Sequence, residues 1–192
     1  MNTTWMKGLE AISIARMSPE KTGLVCSVFL GPKELLKAAT NLYDQGHFIE
    51  DVSIVDTKDG FMVVYHFDHF TQPGRIALRV LVPHDHPEVP SISGIFSGAD
   101  WHERESHDFF GVTFTGHPNL VPLLLPEDAD FYPLIKEEPA RKRVADLMQP
   151  GEVEQSTPAF EALFARPEPE AGGEGAAEKP AKGSEASTES GT

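Results

Sequence analysis

The sequence has a single cysteine, Cys26, and lacks any apolar run long enough to cross a membrane. One thiol excludes an internal disulfide framework, a cysteine-ligated zinc site and an iron–sulfur cluster held by this chain alone, because each of these needs several thiolates. The longest apolar stretches, residues 24–30 and 121–125, are far shorter than the roughly 20 residues that a bilayer requires. We therefore expect no direct membrane insertion, and a reducing, cytoplasmic environment.

Positive charge is also scarce, since 16 Lys and Arg residues stand against 30 Asp and Glu residues, for a formal net charge of -14. A surface of this sign repels nucleic-acid phosphates and anionic membrane surfaces, so neither is an expected partner. The sequence has no glycine-rich phosphate loop, dinucleotide fingerprint or nucleophile elbow. The N-terminal residues lack the apolar h-region of a secretory signal. Nothing in this pattern indicates a self-contained active site.

The composition changes sharply near residue 149, which divides the chain into a domain, residues 1–148, and a tail, residues 149–192. Beyond Pro167 no apolar side chain is larger than alanine, and the charged residues are mainly glutamate. Such a segment cannot bury enough apolar surface to offset the entropy lost on ordering, so we predict a disordered acidic tail. A short patch with apolar residues, residues 160–164, leaves open a helical turn that docks on some surface.

The hydrophobic pattern of the domain predicts a strand, a helix and then a run of antiparallel strands. Residues 24–30 are typical of a buried strand, and Gly31-Pro32 then begins a helix that ends near Gly46. Alternation predicts further strands at residues 48–56, 61–69 and 75–82, with Asp59-Gly60 indicating a hairpin between the first two. This order predicts an α+β fold, a mostly antiparallel sheet with helices packed on one face.

A second helix and a proline-rich arm complete the predicted domain. Asp100 is a candidate N-cap for a helix over residues 101–110, which Gly111 would end. The proline-rich arm, residues 111–134, contains four prolines, which favour an extended segment over a core element. An apolar extended segment needs a surface to lie on, which belongs either to its own domain or to a partner.

Charged residues on the predicted second helix are spaced for ion pairs. Arg104 and Asp108 stand at i,i+4, as do Glu103 and His107, so each pair can interact across one helical turn. From spacing alone, the simplest interpretation is a solvated helix with ordinary ion pairs, each contributing a few tenths of a kcal/mol.

Histidine and carboxylate residues cluster in three places and raise a metal-site hypothesis. His102 and His107 are five residues apart, which rotates the second by about 140° around a helix, so they do not match the i,i+4 zinc-protease pattern. His84 and His86 could bind one metal if they share a strand face. One alternative function is therefore a stand-alone metal-dependent enzyme that uses His84, His86 and His102. Another is an adaptor that binds its partner through the acidic tail.

A long motif in the second helix and the arm resembles one protein family. The motif comprises Glu103-Arg104-Glu105, Asp108-Phe109-Phe110-Gly111, Phe114, Gly116-His117-Pro118 and Leu120. It is similar to the 30 kDa subunit of NADH:quinone oxidoreductase, respiratory complex I, with relatives in energy-converting membrane-bound nickel–iron hydrogenases. The resemblance covers about residues 23–135. Where that family usually has basic residues after the motif, this chain has Val121 and Pro122, and residues 123–128 look more like the hydrogenase-type relatives.

The resemblance implies a cofactor-free accessory subunit in the peripheral arm of a complex I-like, membrane-associated oxidoreductase, without a catalytic centre of its own. Its implied partners are the large (49 kDa or hydrogenase large subunit-like) subunit and the iron–sulfur subunits. Iron–sulfur clusters would lie in those neighbouring subunits, with flavin or nickel–iron depending on the type of complex. The implied location is the cytoplasmic face of the cell membrane, where partner subunits hold the chain.

The resemblance also implies which residues meet the partner. We expect Glu103, Arg104, Glu105 and Asp108 to order the helix and its junction with the large subunit. The aromatic and neighbouring residues would then anchor the arm. The full implied interface set is Glu103, Arg104, Glu105, Asp108, Phe110, Gly111, Phe114, His117 and Pro118.

Overall fold

The computed structural model describes residues 4–148 and 151–165 and is built on a six-stranded sheet. The strands are β1 Ala11–Arg16, β2 Cys26–Leu30, β3 His47–Thr57, β4 Gly60–His69, β5 Ile76–Val82, β6 Glu88–Pro90, β7 Thr113–Thr115 and β8 Glu152–Ser156. The helices are α1 Pro19–Thr22, α2 Pro32–Asp44, α3 Ala99–Phe110, α4 Val144–Leu147 and α5 Pro158–Phe164, with 3₁₀ turns at Thr4–Met6 and Glu138–Ala140. The large sheet has the order β3-β4-β5-β2-β1-β8, and β6 pairs with β7 in a separate two-stranded sheet.

The mixed α+β class and the mostly antiparallel sheet are confirmed. In the large sheet every neighbouring pair is antiparallel except β2 and β5, which run parallel because α2 and the β3–β4 hairpin connect them. The predicted hairpin is present, with Thr57 paired to Gly60. One face of β4 meets the apolar stripe of α2 in the main core, which includes Tyr65, Phe67, Leu35 and Leu42.

The prediction that helices pack on one face of the sheet is right only for the two long ones. Both α2 and α3 contribute buried residues to the main core. The opposite face carries a smaller cluster in which Val144 of α4 and Phe160 of α5 cover Phe29 and Val64. Short helices near the C-terminus therefore close the second face.

The prediction of a disordered tail is wrong for residues 151–165. Strand β8 pairs with β1, a strand that the sequence analysis did not assign, and the ring of Phe160 packs 4.6 Å from that of Phe29. Phe160 belongs to the apolar patch at residues 160–164. The prediction of disorder rested mainly on the composition after Pro167. Residues 149–150 and 166–192 lie outside the described residues, and disorder there stays a prediction.

Helix α3 and the chain after it position the candidate site. The helix begins at Ala99 with Gly98 as its N-cap, so Asp100 lies in the first turn instead of capping it, and Gly111 ends the helix at φ +71° as predicted. Beyond β7, residues 116–134 of the proline-rich arm form neither helix nor strand. None of the helices in the described ranges is long and apolar enough to cross a bilayer.

Candidate docking surface

The buried side of α3 is joined to the start of the arm through Glu103. This side chain is fully buried, and its carboxylate accepts hydrogen bonds from the Ser91 hydroxyl and, at 2.8 Å, from the N–H of Ile92. The buried ring of His117 places Nε2 3.9 Å from Glu103 Oε2 and 3.3 Å from the carbonyl oxygen of Asp100. Burial raises the pKa of Glu103 to about 7, although its two hydrogen bonds act in the opposite direction.

This raised pKa predicts that the free energy of unfolding falls as the pH rises from about 4.5 to about 7. In that range the folded chain keeps a proton on Glu103 that the unfolded chain releases, so each step up in pH favours unfolding. Glu103→Gln should remove this part of the decline, up to about 3 kcal/mol, because an amide does not titrate: its oxygen can accept from the N–H of Ile92 and its NH₂ group can donate to the Ser91 hydroxyl. Urea unfolding of both proteins at several pH values measures the difference, and parallel profiles would contradict it.

Two charged side chains of α3, the half-buried Arg104 and the buried Asp108, bind the backbone of the arm and form the near clamp. Arg104 donates from Nε to the carbonyl of Val121 at 3.0 Å and from Nη2 to that of Pro122 at 2.9 Å. Asp108 Oδ2 accepts from the N–H groups of residues 123, 124 and 125 at 2.8, 2.7 and 3.1 Å. Burial raises the pKa of Asp108, but these donors outweigh it and leave the pKa below its usual value.

The ion pairs expected along α3 are therefore replaced by other contacts. Arg104 and Asp108 do not pair with each other, because each binds main-chain groups of the arm. Glu103 points into the core, while His107 Nδ1 lies 3.0 Å from the carbonyl oxygen of Val112. The charged side chains of α3 therefore contact groups elsewhere in the fold, and not the residues of α3 with which their spacing had paired them.

A third buried carboxylate, Asp56 near the end of β3, forms the far clamp on the chain that follows the arm. Its fully buried side chain accepts at Oδ2 from the N–H of Lys136 at 2.8 Å and from Arg141 Nε at 3.1 Å. Asp56 Oδ1 lies 2.8 Å from His84 Nε2. Burial alone would raise the pKa of Asp56, but the bonds from Lys136, His84 and Arg141 together hold it below its usual value.

Large apolar side chains are exposed on the chain that the two clamps hold. This apolar surface consists of Val121, Leu124, Phe131, Tyr132, Leu134 and Ile135. Every residue from 131 to 140 is exposed. Trp101 on α3 is 65% exposed, with the guanidinium of Arg104 5.9 Å from its ring centroid. A concentration of exposed apolar side chains in one short segment is typical of interaction sites.

The other residues of the implied interface set have different environments. Phe114 is buried in the main core, and Phe110 is half-buried with its ring edge-on to Phe61 at 6.2 Å. Pro118 is exposed, and Glu105 is half-buried on α3.

Gly111 is confined both by its own backbone and by the arm. Its backbone adopts φ +71°, a conformation that residues other than glycine rarely adopt. A Cβ there would lie 2.7 Å from the ring of Tyr132. Gly111 therefore both ends α3 and leaves room for the ring of Tyr132, one of the residues of the apolar surface.

The three histidines of the metal-enzyme hypothesis do not converge. His84 contacts Asp56, His86 Nε2 lies 3.5 Å from Glu88, and His102 Nδ1 lies 3.8 Å from Asp51. Across residues 4–148 and 151–165, no three His, Cys, Asp or Glu side chains are grouped so that they could hold a metal ion. Each histidine instead has its own carboxylate neighbour.

Comparison with known proteins identifies the family of this chain. The family described as "Respiratory-chain NADH dehydrogenase, 30 Kd subunit" matches residues 28–144, more than half of the chain. The chain belongs to this family. A subunit of the NADH-quinone oxidoreductase of Roseiflexus sp. (strain RS-1) is 42% identical over 120 residues, 59% of this chain and 69% of that protein. The corresponding protein of Xanthobacter autotrophicus (strain ATCC BAA-1158 / Py2) is 43% identical over 117 residues, 57% of this chain and 56% of that protein.

A solved structure shares the fold of this 30 kDa subunit family member. One chain of the membrane-bound sulfane sulfur reductase, an archaeal respiratory membrane complex, matches with a TM-score of 0.59 at 19% identity, over 76% of this chain and 85% of that chain. The family match and the sequence relatives confirm the resemblance inferred from the motif. The family match ends at residue 144, so β8 and α5 lie outside it.

Sequence reasoning missed the far clamp, although a signal for it was present. Val52, Ile54 and Asp56 alternate along β3, so the carboxylate occupies a position that the pattern directs inward. A charged residue at an inward position requires a partner. The partners are Arg141 and the N–H of Lys136. Both are distant from Asp56 in the sequence, so local spacing does not predict them.

Proposed function

We propose that this chain is a cofactor-free accessory subunit in the peripheral arm of a complex I-like oxidoreductase, where it packs on the large, hydrogenase-like subunit. Electron transfer would run through iron–sulfur clusters in neighbouring subunits, with flavin or nickel–iron depending on the type of complex. The subunit would lie at the cytoplasmic face of the membrane, held there by its partners. Family membership supports the complex, and the apolar surface supports the mode of attachment.

The proposed mode of attachment rests on one combination of features. The apolar side chains of the arm are exposed, while hydrogen bonds hold its main chain in place. Both clamps fix the main chain on either side of residues 126–135, and the N–H of Leu134 also donates to the carbonyl of Phe109 at 3.2 Å. A surface fixed in this way loses little further conformational entropy on binding, which favours affinity for a given contact area. The apolar side chains are thus presented to a partner rather than folded inward.

Charge on the arm indicates the chemistry of the partner surface. Glu127, Asp128 and Asp130 are exposed between Leu124 and Phe131. A complementary surface would be apolar at both ends, with basic side chains between them. Interfaces of this composition also select against wrong partners, because like charges placed opposite each other are strongly unfavourable.

Affinity purification of the tagged chain from gently solubilised membranes tests the proposal. Mass spectrometry should find a hydrogenase-like large subunit and iron–sulfur subunits in the eluate. Nickel in the same eluate would indicate a membrane-bound hydrogenase, whereas flavin and nucleotide-binding subunits without nickel would indicate the respiratory complex. Recovery of the chain alone, carrying its own metal, would overturn the accessory-subunit function.

Arg104→Ala is expected to reduce recovery of the large subunit at least about tenfold, while the isolated chain loses only about 1 kcal/mol of unfolding free energy. The substitution removes two hydrogen bonds of the near clamp, so the partner would have to order the arm itself. Arg75→Ala, which breaks the exposed pair with Glu50, is the matched control and should assemble normally. Full assembly of Arg104→Ala would show that the near clamp does not prepare the arm for docking.

A further inference from the structure

A cavity of about 240 Å³ opens on the second face of the sheet, opposite α2 and α3. One side of it is basic, formed by Arg75 and Arg79 of the β5 region and His66 of β4. The other side is apolar and includes Leu24 and Met148. A cavity with one cationic side and one apolar side suits a ligand with the same two parts.

Two of the three basic side chains already have acidic partners. Arg75 donates from Nε and Nη2 to the two carboxylate oxygens of Glu50, and His66 Nδ1 lies 3.5 Å from Asp51 Oδ2. These pairs leave no net positive charge for a ligand. The charge balance of the cavity therefore depends on Arg79.

Arg79 is a largely buried cation without an acidic partner in the part of the chain that the structure describes. Its Nη1 donates to the hydroxyl of Ser27, its Nε is enclosed without any acceptor, and its guanidinium lies 6.0 Å from the ring centroid of Phe29. Burial lowers the pKa of Arg79 to about 10, as expected for a cation that has given up water without gaining a carboxylate. Buried charges in proteins are normally paired, so the cavity is short of one negative charge.

We propose that this cavity binds a small monocarboxylate, with Arg79 holding the carboxylate and the apolar side holding a short hydrocarbon body. A guanidinium presents its donors in a planar fork that matches a carboxylate. One uncompensated cation balances one negative charge, which favours a monocarboxylate over a phosphate dianion. The volume is below the roughly 300 Å³ at which pockets for larger ligands begin, so it suits a chain of a few carbons. This site is separate from the apolar surface of the arm and goes beyond the proposed function.

Isothermal titration of the full-length chain with sodium butyrate, against sodium chloride at equal ionic strength, tests the site. We expect saturable binding of one butyrate, with inorganic phosphate binding more weakly. Arg79→Gln should raise the dissociation constant for butyrate at least about tenfold, because a charged hydrogen bond is lost. Lys33→Gln is the control, since it removes one positive charge from an exposed position on α2, on the other face of the sheet and outside the cavity, and it should keep the wild-type affinity within about threefold.

A measurement on the unmodified chain keeps the test independent of whether Arg79→Gln folds. Butyrate should shift the NMR resonance of the Arg79 Nε–H in the wild-type protein, and the shift should saturate with the same dissociation constant. The proposal is overturned by the absence of saturable binding up to about 10 mM, by tighter binding of phosphate, or by unchanged butyrate affinity in a folded Arg79→Gln variant.

Discussion

Replacing Leu134 and Ile135 together by aspartate is expected to abolish co-purification of the chain with its complex while leaving the isolated chain folded. The two side chains are 48% and 41% exposed, so the isolated chain loses little buried apolar area. In the assembled interface the same change would bury two unpaired carboxylates, each of which is strongly unfavourable. A loss of about 3 kcal/mol already lowers affinity more than a hundredfold. The measurement is recovery of the large subunit on the tagged variant, with circular dichroism of the free chain.

Val153→Asp provides the matched control for this pair. Val153 is 59% exposed and apolar, but it lies on β8, outside the residues that match the family. We expect it to assemble as the wild type does, so a general effect of added negative charge would be detected here. Normal recovery of the large subunit by the Leu134→Asp, Ile135→Asp variant would show that the apolar surface is not where this chain attaches.

Asp56→Ala is expected to lower the free energy of unfolding by about 3–5 kcal/mol. The substitution removes the acceptor for the N–H of Lys136 and for Arg141, and it leaves His84 without its carboxylate. A buried network that loses its central acceptor leaves several donors unsatisfied at once. Chemical denaturation of both proteins at pH 7 gives the difference directly.

Asp51→Ala on the same strand is the control, because its side chain is 44% exposed and its histidine neighbours lie 3.5 and 3.8 Å away. Exposed pairs of this kind contribute at most about 1 kcal/mol, so this variant should remain close to the wild type. The lowered pKa of Asp56 adds a second readout. Its contribution to folding is present above the unfolded pKa of 3.8 and is lost as the pH falls below it, so Asp56→Asn should flatten the acid limb of the stability curve. Equal losses in Asp56→Ala and Asp51→Ala would contradict the importance of the far clamp.

Local signals in the sequence predicted the elements that local chemistry determines. Asp59-Gly60 specified the hairpin, and Gly111 marked the end of α3, because each position depends on a few neighbouring residues. Strand β1 was missed because its buried positions are occupied by the small residues Ala11 and Ser13, and its neighbour β8 lies in a segment whose overall composition indicated disorder. Composition averages over a segment, whereas one well-placed ring such as Phe160 is sufficient to dock it.

The candidate site could be located from the sequence but its bonds could not. The motif directed attention to α3 and the arm, and it included Glu103, Arg104 and Asp108, which the structure places at the junction of the two. Helical spacing then suggested partners within α3, because spacing can only propose neighbours on the same element. The actual partners are main-chain groups that reach the helix only after the arm has folded back along it. Prediction of such contacts requires the tertiary path of the chain.

The near clamp recognises the arm by its main chain alone, and this leaves the side chains of residues 121–125 free to vary between relatives. Arg104 and Asp108 contact carbonyl and N–H groups that every residue type carries, except that proline has no N–H. Proline is therefore compatible with position 122, which only accepts, and incompatible with positions 123–125, which must donate. One helix can thus hold arms with different side chains, and Val121 and Pro122 in place of basic residues are compatible with the near clamp. Partner preference can diverge by substitution on the arm without any change in the scaffold that supports it.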